Sequence, residues 1–267
     1  MSRSGQSKTA DDAGADTTIA THRAPAVAKA AAVLRLLAGE RTGIGVSEIA
    51  RRSGLVPSTC LHILRALADE GFITFDPEKK TYRTGVGLLT LVRGAIATSD
   101  YPRVVQPVLD SLSSRHNVTA IAVELDNRNR MVVVALSRAD SLISLHVNIG
   151  SRYPAYLSAT GRCVAAESDL SKDQLRAEFD RIIWQRAPRF EEWHADVERA
   201  RLDGIAIDYG NNIRGITVVA KLVPKGTDRM MRAIALVGFD SQLTEKPLQQ
   251  IKLHLDSAVA EVSSHLH

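Results

Sequence analysis

The sequence predicts an α+β chain in which a small helical segment with a β-hairpin precedes one antiparallel sheet flanked by helices. Three patterns carry this. Val46 to Phe75, VSEIARRSGLVPSTCLHILRALADEGFITF, reads as a helix, a sharp turn at Ser53-Gly54, a second helix opened by Pro57 and stopped by Gly71, and a strand. FITF and TYRTG flank the charged connection DPEKK, which is a hairpin signal. Beyond Tyr101, six β-rich runs have helical segments between them and at both ends.

Composition sets the bounds. The chain has 267 residues, 45% of them hydrophobic, which is enough for a sizeable core and, by length, two domains. No window approaches the ~18 uninterrupted apolar residues of a membrane span, so no membrane partner is expected. The N-terminal stretch has no apolar h-region and is small and polar, so residues 1–24 are expected to form a disordered arm rather than a secretory signal. Two cysteines, Cys60 and Cys163, allow neither a disulfide framework nor a zinc quartet within one chain. A reduced, cytoplasmic protein without metal or cofactor is expected. The net charge is +4, and residues 25–90 hold nine basic against six acidic side chains. The positive excess therefore sits on the helical segment, as a nucleic-acid contact would need.

The elements follow in order. Pro25 suits a first helical position, and Val33, Leu36 and Leu37 give the next residues an apolar stripe that ends at Gly39. Ser47 is placed just before a short helix in which Ile49 and Ala50 face inward, Leu55 covers the turn, and Arg51 and Arg52 are free to meet phosphates. In the helix from Pro57, Leu61, Leu64 and Leu67 are expected to bury one face, while Ser58, Thr59, His62 and Arg65 share the other. Short hydroxyls and arginine reach phosphates and base edges. A hairpin directly after such a helix is a wing, and Lys79, Lys80 and Arg83 would lie along the flanking backbone. The blander reading is a helical hairpin with a solvated face. Val86–Thr98 is apolar on more than one face, which predicts packing against something larger, and Tyr101-Pro102 is expected to break it. The domains are thus a reader over 25–85, a linker helix over 86–101 and a second domain over 102–267.

In the second domain a helix is expected over Arg103–His116. Strands are expected at Val118–Leu125, Met131–Ser137, Leu142–Val147, IAIDY, ITVVAKLV and AIALVGF, and helices at Ser158–Glu167, Ser171–Phe179, Phe190–Asp203 and Glu245–His265. Ser171 with Gln174 makes a capping box. Ser158-Ala159-Thr160-Gly161 opens a helix whose first N–H groups have no intrahelical partner, which suits a carboxylate. From the residues alone, a plain helix start without a ligand is the better reading.

Both halves resemble one family. SEIARRSGLVPSTCLHILRALADEGFI, YRTGVGLLTL, GSRYPAYLSATGRCVAA and, less closely, DGIAIDYGNNIRG are similar to IclR-type transcriptional regulators, from about Ala24 to the C-terminus. The resemblance implies a winged helix-turn-helix, a linker helix and a GAF-like effector domain. It implies dimers or dimers of dimers on palindromic double-stranded DNA operators, with repression or activation of catabolic genes. The stretch from Pro154 to Arg162 resembles the branch that senses aromatic acids and intermediates of the β-ketoadipate pathway. It implies effector contacts from Arg152, Tyr156, Ser158, Thr160, Gly161, Asp208 and Asn211, with Gly161 allowing close backbone approach. Sensors of small acids in the family often carry Glu at position 211, Cys at 218 and Ser at 235 and 237. Here Asn211, Val218, Ala235 and Val237 stand there instead, which turns polar contacts into apolar wall. A carboxylic acid with an aromatic or otherwise hydrophobic body suits that lining. Asp208 and Asn211 also read as turn residues of DYGNN, and His146 as a structural residue of its strand.

Other classes are weaker. A regulator answering a small 2-oxo acid, or a winged helix acting through protein partners, keeps the fold and changes the ligand. An enzyme would need Cys163 as nucleophile, His146 or His194 as base and Asp208 as orienter. Burial of Cys163 beside Val164 and Ala165, and the lack of a nucleophile elbow or phosphate loop, argue against it.

Overall fold

The computed structural model describes residues 24–98, 100–137, 147–226 and 228–266. The arm expected over 1–24 lies outside them except for Ala24, as does the Leu142–Val147 strand, with His146, except for Val147. The chain divides into two compact units between Ala95 and Ile96, inside a helix.

The first unit holds α1 (Pro25–Ala38), β1 (Ile44–Gly45), α2 (Val46–Arg52), α3 (Pro57–Asp69), β2 (Ile73–Asp76), β3 (Thr81–Thr84) and the start of α4 (Gly87–Thr98). Gly54 adopts φ +62 after α2. Its N–H reaches the Arg51 carbonyl at 3.3 Å and that of Leu55 the Ala50 carbonyl at 2.9 Å, a Schellman-type stop that only glycine enters without strain. Val56 is extended, as a residue before proline must be, and Pro57 then starts α3. Helix α3 buries Cys60, Leu64 and Leu67 against Val33, Leu37, Ile49, Ile73 and Tyr82. Leu61 is only half-buried, so the inward row starts one residue earlier than the leucine spacing predicts. A turn of 100° per residue puts Cys60, Leu64 and Leu67 (i, i+4, i+7) closer to one line than i, i+3, i+6 does. Ser47 lies within the first turn of α2, which begins at Val46. Strand β1 joins the hairpin to give the order β1-β3-β2.

The second unit is a six-stranded antiparallel sheet in the order β6-β5-β4-β9-β8-β7, from β4 (Thr119–Leu125), β5 (Arg130–Leu136), β6 (Arg152–Pro154), β7 (Ile205–Tyr209), β8 (Ile216–Val223) and β9 (Arg232–Phe239). Alternation along β9 assigns the faces: Ala233, Ala235 and Val237 point to one core, Ile234 and Leu236 to the other. The first core is covered by α6 (Ser158–Glu167), α7 (Lys172–Asp180) and α8 (Phe190–Asp203), the second by α5 (Asp100–His116) and α9 (Glu245–Ser264). The Ser171–Gln174 capping box forms. Helix α5 starts before the expected break: Tyr101 and Pro102 lie in its first turn, where proline loses no hydrogen bond. Buried Tyr101 donates to the Ala233 carbonyl at 3.0 Å, which fixes the start of α5 against the sheet. The edge strand β6 was not legible, being three residues ending in proline.

Helices α5 and α9 also meet through His116 Nε2 and His254 Nδ1, 2.9 Å apart. A short N–N contact of this kind needs at least one neutral ring. Burial, then His254 and Arg115, hold His116 below the usual histidine range. Because the folded value is depressed, the stabilising contribution is full above the unfolded value of about 6.5 and is lost as pH falls below it. Thermal melts from pH 7.5 to pH 5.5 should show falling stability, with a shallower fall in His116→Gln. An equal slope in both would remove His116 from the account.

Candidate functional site

Helix α3 presents Pro57, Ser58, His62 and Arg65 as exposed residues, with Thr59 half-buried beside them. Ser58, His62 and Arg65 are spaced i, i+4, i+7, so they line one face opposite the buried row. The wing extends this face chemically. The Asp76 carboxylate accepts from the Glu78 and Lys79 N–H groups at 3.1 and 3.0 Å and shapes the turn. Lys79, Lys80 and Arg83 are exposed on it. Arg51 and Arg52 are not free as the sequence suggests. Arg51 pairs with Glu48 at 2.6 Å and Arg52 with Glu40 at 2.7 Å. The Arg51 hydrogen bond holds the Glu48 carboxyl below the usual carboxylate range. The Arg51–Glu48 pair is exposed and such pairs are weak, so a phosphate can take the place of that carboxylate, while the Arg52–Glu40 pair is partly buried.

The second site is a cavity of about 240 Å³ between β4, β5, β8 and β9, the start of α6 and the loop after β7. Ile121, Val133, Val147, Leu157, Ile213, Ile216, Val218, Ala235 and Val237 form its apolar lining. Ser151, Tyr153, Ser158, Thr160 and Asn212 supply the polar groups, and no charged residue lines it among the described residues. The polar end is built by a tight turn. A Cβ at Gly161 would lie 2.0 Å from the Tyr156 carbonyl carbon, so glycine is required for the chain to fold back on itself. The close backbone approach that Gly161 allows is made by Tyr156. Ser158, first in α6, is left at φ +63, a region that costs a non-glycine residue roughly 1 kcal/mol. Its hydroxyl oxygen is buried and has no hydrogen-bond partner among the described residues. The first-turn N–H groups of α6 also lack carbonyls within the helix. Tyr153 Oη lies 3.4 Å from Thr160 Oγ1, and burial pushes the phenol up to about 12, so it stays protonated as a donor.

The cavity therefore includes Ser158, Thr160, Val218, Ala235 and Val237 from the sequence-predicted set. It excludes five others, of which Gly161 lies in the turn itself. Arg152 is exposed on edge strand β6, and Tyr156 is buried beneath the turn. The Asp208 carboxylate accepts from the N–H groups of Asn211 (2.8 Å) and Asn212 (3.3 Å), so it shapes the loop. Asn211 Oδ1 accepts from Arg162 at 2.8 Å. Asn212 and Ile213 take their places in the lining. Of the residues that sequence reasoning missed, Tyr153 lies inside a quoted motif, and Arg162 stands out as a charge in a segment patterned for burial. Nothing in the sequence points to Asn212.

Among the described residues the geometry gives catalysis no support. Cys163 is buried, donates to the Ala220 carbonyl at 3.3 Å, and burial pushes its thiol up to about 12, away from the thiolate a nucleophile needs. His194 lies 3.9 Å from Glu198 on α8. Among the described residues no His, Cys, Asp or Glu cluster could hold a metal, and no helix is long and apolar enough to cross a membrane.

Comparison with known proteins agrees with this layout. Residues 26–77 match the IclR helix-turn-helix domain, and residues 94–264 match the C-terminal domain of bacterial IclR transcriptional regulators. The glycerol operon regulatory protein of Streptomyces griseus is 29% identical over 214 residues, covering 79% of this chain and 82% of its own. The crystal structure of an IclR transcriptional regulator from Alicyclobacillus acidocaldarius superposes with a TM-score of 0.80 at 25% identity, over 92% of this chain and all of that one. An IclR homologue from Microbacterium hydrocarbonoxydans, solved in complex with 4-hydroxybenzoate, shares the fold with a TM-score of 0.74 at 17% identity, over 90% and 98% of the two chains. By these matches over both of its parts, the chain belongs to the IclR family of ligand-responsive transcriptional regulators, whose members act as regulators and not as enzymes.

Proposed function

We propose that this regulator answers a carboxylic acid with an aromatic or otherwise apolar body and controls catabolic genes. The observation that carries the reading is the cavity itself, uncharged and mainly apolar, ending on the unpaired Ser158 hydroxyl and the first turn of α6. A carboxylate there accepts from Ser158, from first-turn N–H groups and from the Tyr153–Thr160 pair. The ring lies against Val133, Val218, Ala235 and Val237. A small 2-oxo acid leaves most of this apolar lining uncovered and meets no cation. The 4-hydroxybenzoate in the Microbacterium hydrocarbonoxydans homologue is an acid of the proposed shape.

The reader docks α3 in the major groove through Ser58, Thr59, His62 and Arg65, with Ser47, Arg51, Arg52 and the wing residues Lys79, Lys80 and Arg83 on phosphates. Helix α4 leaves Leu89, Leu91 and Val92 at least half exposed among the described residues. Covering such a face with a second copy gives a homodimer or dimer of dimers, which suits a palindromic operator. Ligand and DNA then bias one another equally, with a coupling of ~1–3 kcal/mol.

Isothermal calorimetry tests the ligand class. Benzoate and 4-hydroxybenzoate should bind more tightly than glyoxylate and pyruvate, and the opposite order would sink the reading. A mobility shift on the DNA upstream of its own gene tests the reader. Affinity should fall steeply with salt, and Arg65→Ala should weaken binding by ~1–3 kcal/mol. An Arg65→Ala protein with unchanged operator affinity rules out that contact.

A further inference from the structure

Arg162 is wholly buried in α6, yet it does not line the cavity. Its guanidinium spends its donors on three elements. Nη1 donates to the Ser158 carbonyl at 3.1 Å, Nη2 to Asn211 Oδ1 at 2.8 Å, and Nε to Asp196 Oδ2 on α8 at 3.1 Å. Asp208 Oδ1 stands 4.0 Å from Nη1, while its carboxylate caps the 208–213 loop. The loop is also tied to the segment before α8, where Arg186 N–H donates to the Asn211 carbonyl at 3.1 Å.

Burying an ion costs several kcal/mol, and well-packed apolar residues usually stabilise as well or better. Packing alone therefore does not account for an arginine here. What the guanidinium supplies is a fixed fork that holds separate backbone segments at set distances. Two of the three it holds carry cavity residues, the strained Ser158 turn with Thr160, and the loop with Asn212 and Ile213.

We propose that Arg162 is a positioning residue that locks the Ser158 turn and the 208–213 loop into one unit and so sets the size of ligand the cavity accepts. The inference rests on the reading of this cavity as the effector site. The arm to Asn211 is the one to cut, because Asn211→Ala leaves the bonds of Arg162 to Ser158 and Asp196 in place. With that arm gone the loop moves independently of the turn, and Ile213 no longer bounds the cavity tightly.

The test compares the full-length protein with Asn211→Ala and with Arg162→Lys, which keeps a charge beside Asp196 and loses the fork. Hydrogen–deuterium exchange on the ligand-free proteins should speed up at residues 157–161 as well as at 209–213 in both variants. Calorimetry with benzoate and 2-naphthoate should show the preference for the smaller acid falling about tenfold, the worth of one charge-assisted hydrogen bond. Unchanged exchange at 157–161 overturns the proposal, and so does faster exchange with an unchanged benzoate-to-naphthoate ratio. A wild-type protein that binds neither acid counts against the aromatic-acid reading alone, and the exchange result still decides the role of Arg162.

Discussion

The ligand-binding unit depends on one steric constraint, the contact of Gly161 with the backbone of Tyr156. No side chain fits at position 161, because a Cβ would sit 2.0 Å from a carbonyl carbon. That contact lets the chain leave β6 and enter α6 within a few residues. The same turn drives Ser158 to positive φ and leaves its hydroxyl buried without a partner among the described residues. An unpaired buried hydroxyl and a strained backbone both cost free energy, and both are tolerated where something outside the fold is meant to repay them. The polar end of the cavity is thus a consequence of how the chain turns.

The space beside it comes from the sheet. Ala220, Ala233 and Ala235 and the valines Val218 and Val237 stand on the face toward α6, while the opposite face of β9 carries Ile234 and Leu236. Small residues on one face leave volume, and large ones on the other pack α5 and α9. A ligand of the proposed class fills what the small side chains leave open. Arg162, behind the polar end, keeps two stretches of the lining in step at the cost of a buried charge.

Much of this was legible in the residues, and the failures have physical causes. Helices α3, α6 and α8 could be read because proline, glycine and periodic apolar residues mark their ends and faces. The β7 and β8 runs were bounded by turn chemistry. The phase of α3 was read one residue late because Leu61 and Cys60 are both apolar, and only packing decides which faces inward. Arg51 and Arg52 read as free because the pairing of Arg52 with Glu40 depends on how the loop before β1 folds. Asp208 and Asn211 read both as ligand contacts and as turn residues of DYGNN, because Arg162, which bonds Asn211, is distant in sequence. Asn212 was invisible for the same reason, since loop direction is set by tertiary hydrogen bonds rather than by local pattern.

Function divides along the same line. The reader is a local motif, so short-range spacing carried it. The cavity proposed for the ligand is assembled from β4, β5, β8, β9, α6 and a loop, so its membership is decided by the fold and not by local spacing. A crystal structure of the protein with benzoate tests the account most directly. The carboxylate should lie on Ser158 Oγ and the first-turn N–H groups of α6, with the ring against Val218 and Ala235. Benzoate bound elsewhere, with Ser158 still unpaired, would contradict it.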